Sequence, residues 1–233
     1  MLGLPGPVLG ISTASGVAVG LVRPDHRPIR LVHDQAQAHV EFLAPLINQV
    51  LQQAGLRAAD LAGIGVGKGP APYTGLRIGL VTAKALGLAT GCPVWGVSDL
   101  DVLAYQALAD LNVRDGATIL ATLDAKRREV YWALFKVDAG KPVCVAGPAV
   151  SVPDQAPRAD LVVGEGAQLY PAALALTPGG PVTVDPVTLA ALAAQRAAAG
   201  QDTDTQPLYL RRPHVQMAKG PKSVLTSSAN KAR

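Results

Sequence analysis

Ser12, Ser15, Thr74 and Ser98 carry the hydroxyls that a nucleophilic or phosphate chemistry could use. None stands in a G-x-S-x-G elbow, and no neighbouring motif supplies any of them with a base. The four histidines are His26, His33, His39 and His214. No two are four residues apart, so no helical pair is offered to a metal, and none is expected. His39 lies near the start of a predicted helix and reads as a polar contact at a helix end or an interface. Asp124 and Glu129 bracket Lys126, Arg127 and Arg128. That group reads as the charged tip of a hairpin rather than an acid–base pair. Gly164-Glu165-Gly166 follows a short strand and reads as a plain left-handed turn. No catalytic residue is expected.

One stretch invites a ligand. Gly67 to Gly91 reads GKGPAPYTGLRIGLVTAKALGLATG, a Gly/Pro loop entering a helix at Tyr73-Thr74-Gly75. Leu61 to Val66 before it reads as a buried strand. A strand, a flexible loop and a helix N-terminus expose free backbone N–H groups that suit an anion. The loop lacks both the Lys-Ser/Thr ending of a P-loop and the G-x-G-x-x-G spacing of a dinucleotide site. On its own it reads as a tight connection without a ligand.

The elements that position these residues alternate. Val8–Ser12 and Val17–Val22 are predicted as a hairpin. Residues 37–54 follow as a helix with apolar positions at 3.6-residue spacing, and Gly55 stops it. Pro45 kinks that helix or marks its first turn. Then come the strand 61–66, the glycine loop, a helix from Gly75 to Thr90, a strand 93–97, and a helix 100–111 capped by Ser98. A second hairpin, 119–123 with 130–137, opens the next unit. A strand 161–163, a glycine turn with a short helix, and an Ala-rich helix 186–199 complete it. Gly75, Gly79, Ala83 and Gly87 recur every fourth residue on one helix face, a stripe that lets another helix approach closely. Ile78, Val81, Ala85 and Leu86 also make that helix apolar nearly all round, which predicts burial on two sides.

Composition sets limits. The 233 residues are 49% hydrophobic and 16% charged, enough for a large core, with 4% aromatics leaving it to Ala, Leu and Val. Pro5 and Pro7 and the lack of a positive leader argue against a signal peptide. The apolar run from Leu76 to Trp95 carries Arg77 and Lys84, so no membrane span is expected. Two cysteines, Cys92 and Cys144, suit a reducing cytosol. The net charge of +4 is unevenly placed. From Gln206 on there are six basic and no acidic residues, leaving 15 basic against 17 acidic in the rest. Basic tails bind nucleic-acid backbone without sequence preference, but the last dozen residues read as a solvated, disordered end.

Several separated motifs stand in the order of one family. Gly69, Pro70, Ala71, Pro72, Tyr73, Thr74, Gly75, Leu76, Arg77, Ile78 and Gly79 resemble the G-P-G-S-F-T-G-L-R-I-G signature of the TsaB (YeaZ) family. Val8 to Thr13 resembles an I-L-A-I-D-T strand, Asp124 to Ala133 a D-A-R-x-x-E-V-Y-W-A hairpin, and Pro207 to Arg211 a P-x-Y-L-R ending. The resemblance implies the actin-like ATPase (ASKHA) fold, an α/β architecture of two ribonuclease-H-like halves. The halves are expected at 1–104 and 105–212, with a basic tail at 213–233. It also implies the dimerisation subunit of the machinery that makes threonylcarbamoyl-adenosine in tRNA. Its partners would be a TsaD-like transferase and a TsaE-like ATPase, with a homodimer left open and tRNA met through the complex.

The departures from the family pattern are chemical. Ala71 and Pro72 replace a Gly and a Ser, losing positive φ and an N–H donor. Ser12 stands where an ATP-using relative would carry the acid that holds Mg²⁺. The TsaD-type His-x-x-x-His is missing. These point to a non-catalytic scaffold in the cytoplasm with no required cofactor, any ATP or ADP being bound at a subunit boundary. Ser12, Gly69, Thr74, Gly164 and Gly166 are the residues for a weak nucleotide contact; Gly164 and Gly166 resemble an adenine-side turn. His39, Leu43, Leu46, Ile47, Gly75, Arg77, Gly79, Ala83 and Gly87 are the expected partner surface. The rivals are an active nucleotide-dependent transferase or peptidase-like enzyme, and a stand-alone nucleotide-binding module.

Overall fold

A computed structural model describes residues 4, 6–33 and 39–211. The tail 213–233, with His214, and the side chain of His39 lie outside the described residues. Two sheets carry the chain. β1 (Val8–Ser12), β2 (Val17–Val22), β3 (Ile29–His33), β4 (Gly63–Gly67) and β5 (Val94–Val97) form the first, in the order β3-β2-β1-β4-β5. β6 (Thr118–Asp124), β7 (Val130–Asp138), β8 (Lys141–Ser151) and β9 (Leu161–Val163) form the second, ordered β8-β7-β6-β9. In each, three antiparallel strands are followed by a strand parallel to the first. The repeated order makes the two halves copies of one ribonuclease-H-like plan, as expected.

Alternation along the strands sets the layers. Leu9, Ile11, Val19, Leu21, Ile64 and Val66 face helices α1 (His39–Ala54) and α2 (Tyr73–Thr90). The opposite face of the same sheet is a row of glycines, Gly10, Gly20 and Gly65, side by side in the register. Helix α5 (Pro186–Ala198) lies in that row. A Cβ on Gly10 would stand 2.0 Å from the Pro186 carbonyl oxygen, and one on Gly65 2.8 Å from the Ala193 Cβ. Glycine is required there by close approach rather than by φ.

On its other side α5 packs on α3 (Asp99–Asp110), and α3 in turn lies on the inner face of the second sheet, so that one apolar cluster joins all three. The expected boundary after residue 104 falls inside α3, a helix that rests on β6, β7 and β8. α5, late in the chain, returns to the first sheet. A short α4 (Glu165–Leu169) covers the outer face of the second sheet with Leu120, Val130 and Ala167.

Two strands were not anticipated. β3 alternates Ile29, Leu31 and His33 with exposed positions at an edge. β8 contains Pro142 and Pro148, which argue against a central strand but are tolerated at the edge it occupies.

The start of α5 is fixed by Asp185. Its carboxylate accepts from Thr188 N at 3.0 Å and Val187 N at 3.3 Å, and from both Nε and Nη2 of Arg30. Burial alone would raise this carboxyl, but the hydrogen bonds from Arg30 and Thr188 outweigh it and hold it below the ordinary range. Asp185→Ala is expected to cost about 1–2 kcal/mol, the loss of a strong N-cap, measurable by urea unfolding.

Candidate functional site

The ends of β1 and β4 and the start of α3 meet at one carboxylate. Asp99 is the first residue of α3 and is fully buried. Ser12 Oγ donates to its Oδ1 at 2.8 Å, and Gly69 N donates to its Oδ2 at 2.7 Å. Asp99 N in turn donates to the Gly69 carbonyl at 2.9 Å. Burial raises the Asp99 carboxyl to about 6, against the lowering effect of the Ser12 and Gly69 bonds. Gly67 is glycine because a Cβ would stand 2.4 Å from Asp99 Oδ1. One residue beyond Ser12, Thr13 Oγ1 donates to the Gly75 carbonyl at 2.8 Å, tying β1 to the first turn of α2.

Sequence reasoning missed Asp99. Ser98 does stand at the N-cap of α3, but without a side-chain cap bond. The available signal was an acid two residues beyond the end of β5, beside β4, which ends in Gly67.

A phosphate finds no open seat here. The N–H of Gly69 is spent on Asp99, and a buried carboxylate would repel an anion. Gly164 and Gly166 pack on their own sheet: a Cβ on Gly164 would lie 1.9 Å from the Thr122 carbonyl oxygen, and one on Gly166 2.9 Å from the Thr122 and Val130 side chains. Thr122 Oγ1 also accepts from Ala167 N at 2.9 Å and donates to the Val163 carbonyl at 2.8 Å. Of the five residues expected to touch a nucleotide, Ser12, Gly69, Gly164 and Gly166 are therefore closed by protein, and Thr74 alone is exposed. The residues present do not fit a nucleoside triphosphate at this end. Among the described residues no group of three His, Cys, Asp or Glu could hold a metal.

The family described as "TsaD: tRNA N6-adenosine threonylcarbamoyltransferase" matches residues 30–170. An uncharacterized protein of Mycobacterium tuberculosis is 38% identical over 212 residues, covering 90% of this chain and 93% of that one. The tRNA threonylcarbamoyladenosine biosynthesis protein TsaB of Escherichia coli is 36% identical over 101 residues, 43% of this chain and 42% of that one. The solved structure of YeaZ from Pseudomonas aeruginosa superposes with a TM-score of 0.73 at 25% identity, covering 88% of this chain and all of that one. The chain belongs to the TsaB (YeaZ) family.

In this TsaB-family chain the expected partner surface needs correction. The stripe Gly75, Gly79, Ala83 and Gly87 faces inward and is buried. A Cβ on Gly79 would stand 2.5 Å from Thr13 Oγ1, and one on Gly87 2.4 Å from Val94. The small residues admit the chain's own sheet, not a second helix. Leu43 and Ile47 of α1 are core residues for the same reason, and Leu46 is half-buried against them. Arg77 is exposed. The outward face of α2 holds Val81 and Leu88, 64% and 89% exposed, with Lys84, Ala85 and Ala89 beside them. No helix among the described residues is long and apolar enough to cross a membrane.

Proposed function

We propose that this chain is a non-catalytic subunit of tRNA threonylcarbamoyladenosine biosynthesis, one that binds a TsaD-like transferase and holds it in a competent shape. Family membership supports the pathway. The observation that carries the scaffold role is the closed junction at Asp99. Where an ATP-using relative would keep phosphates and Mg²⁺, this chain buries a carboxylate held by Ser12 and Gly69. The outward face of α2, with Val81 and Leu88 exposed, is the surface assigned to the partner. An exposed Leu and Val on one helix stripe suit burial against another apolar surface. A TsaE-like ATPase completes the assembly, and any ATP or ADP belongs at a boundary between subunits.

The test is reconstitution with the TsaD-like and TsaE-like proteins of the same genome. The chain alone is expected to show no ATP hydrolysis and no threonylcarbamoylation above background. It should co-elute with the TsaD-like protein and be required for its activity. Robust turnover by the chain alone would favour the enzyme reading instead.

A further inference from the structure

One segment with neither helix nor strand touches both halves. Residues 203–211 follow α5, cross β5 and the glycine loop, pass the first turn of α2 and end on the β6–β7 turn. Gly96 N donates to the Thr203 carbonyl at 2.9 Å, and Leu208 N to the Lys68 carbonyl at 2.7 Å. The segment lies so close on β5 that a Cβ on Gly96 would stand 2.0 Å from the Asp204 carbonyl oxygen. Lys68 Nζ meets the Asp204 carboxylate at 2.6 Å, and Gln206 N donates to the same carboxylate at 2.7 Å. The Lys68 bond, with Gln206 N behind it, holds this carboxyl below the ordinary range.

The far end joins two elements that are distant in sequence. The rings of Tyr209 and Tyr73 lie 4.7 Å apart at 37°, and Arg77 Nε donates to the Tyr209 hydroxyl at 2.9 Å. Leu210 packs on the apolar cluster that α3 and α5 share with the second sheet. The Arg211 carbonyl accepts from the hydroxyl of Tyr73, the first residue of α2. The Arg211 guanidinium pairs with Glu129 and donates to the Ala125 carbonyl at 3.1 Å. One residue thus links the start of α2 to both sides of the β6–β7 turn. Arg77, held at Tyr209, opens the exposed stripe of α2 that continues through Val81 and Leu88. Asp204, Gln206 and Tyr209 are exposed and Thr203, Leu208 and Leu210 half-buried. A segment held by a row of discrete polar contacts opens at lower cost than a core, and it opens as a unit.

We propose that residues 203–211 form a strap that couples the two halves. It sets the first turn of α2 against the β6–β7 turn, so that loosening either end loosens the other and disturbs the exposed face of α2. Coupling of this kind is reciprocal. That face is the partner surface of the reading above, and the consequence for partner binding rests on that reading.

The test is hydrogen exchange of the full chain, read peptide by peptide by mass spectrometry, for wild type, Gly96→Ala and Arg211→Gln. Gly96→Ala places one methyl group against the backbone of the strap and changes no strap residue. Arg211→Gln removes the guanidinium from Ala125 and Glu129 and leaves the backbone carbonyl that Tyr73 uses. Each should speed exchange roughly tenfold at both 76–80 and 124–130, the loss of about one charge-assisted hydrogen bond. β2 and β3, which make no hydrogen bond with the strap among the described residues, should keep wild-type rates. Retention of the TsaD-like partner should fall in both variants. Faster exchange confined to 94–98 and 202–206 in Gly96→Ala, or to 124–130 in Arg211→Gln, overturns the strap. If Gly96→Ala loosens β2 and β3 as well, Tyr73→Phe takes its place. That variant removes one hydroxyl at the α2 end, and unchanged exchange at 124–130 then overturns the strap. Coupled exchange with unchanged retention keeps the strap and overturns its effect on the partner face. A wild-type chain that holds no partner defeats the proposed function, while the exchange rates still decide the strap.

Discussion

Ser12→Asp is expected to unfold much of the protein at neutral pH, and Asp99→Asn in the same chain to restore it. Ser12 is 3% exposed and its hydroxyl lies 2.8 Å from Asp99 Oδ1. A second carboxylate there would face the first with little water to screen it. At an effective dielectric of about 20, two charges some 4 Å apart repel by about 4 kcal/mol, a large share of a domain's stability. One of the pair would stay protonated, so the damage should ease as pH falls. In the double variant a single acid remains, now on β1. The amide introduced at position 99 can donate to it while its oxygen still accepts from Gly69 N. Urea unfolding of the four proteins of the cycle gives the coupling energy directly. A Ser12→Asp chain as stable as wild type at pH 8 would mean that the junction is open to water.

The same junction fixes a pH dependence. The Asp99 carboxyl is raised from 3.8 to about 6 in the folded protein, mainly by burial. An acid raised on folding stabilises the folded state below its unfolded value, and that contribution is lost as pH rises through the folded value. Asp99→Asn removes the titration. The stability of this variant relative to wild type should therefore climb between about pH 4 and pH 7, by roughly 3 kcal/mol.

On α2, Leu88→Glu is expected to abolish retention of the TsaD-like partner with little change in melting temperature, and Gly79→Leu to do the reverse. Leu88 is 89% exposed, and surface changes of that kind usually move stability by less than about 0.5 kcal/mol. Buried in an interface, an unpaired carboxylate costs several kcal/mol, about a hundredfold or more in affinity. Gly79 faces Thr13, whose hydroxyl is bound to the Gly75 carbonyl. A leucine must push β1 from α2 and break that bond, an overpacking cost of about 1–3 kcal/mol. Melting curves and co-elution on a sizing column separate the two effects. Wild-type retention by Leu88→Glu would remove the outward face of α2 from the interface.

Local chemistry was enough to place most elements from the residues alone. The β1–β2 hairpin, α2 with its left-handed Gly91 stop, the β6–β7 hairpin and α5 from Pro186 follow from period and punctuation. Their ordered motifs were enough to indicate the family, and the missing acid at Ser12 was visible too. Three matters were decided only by tertiary packing. A helix apolar nearly all round does not say which stripe meets its own sheet, and the structure turned Gly79 inward and Leu88 outward. An Ala-rich helix does not name its sheet, and α5 crossed to the first because Gly10, Gly20 and Gly65 align only once the strands are paired. Ser12 and Asp99 lie 87 residues apart. No local rule joins them, and their bond exists because β1, β4 and α3 end at one place, where burial makes a single carboxylate the group that closes the junction.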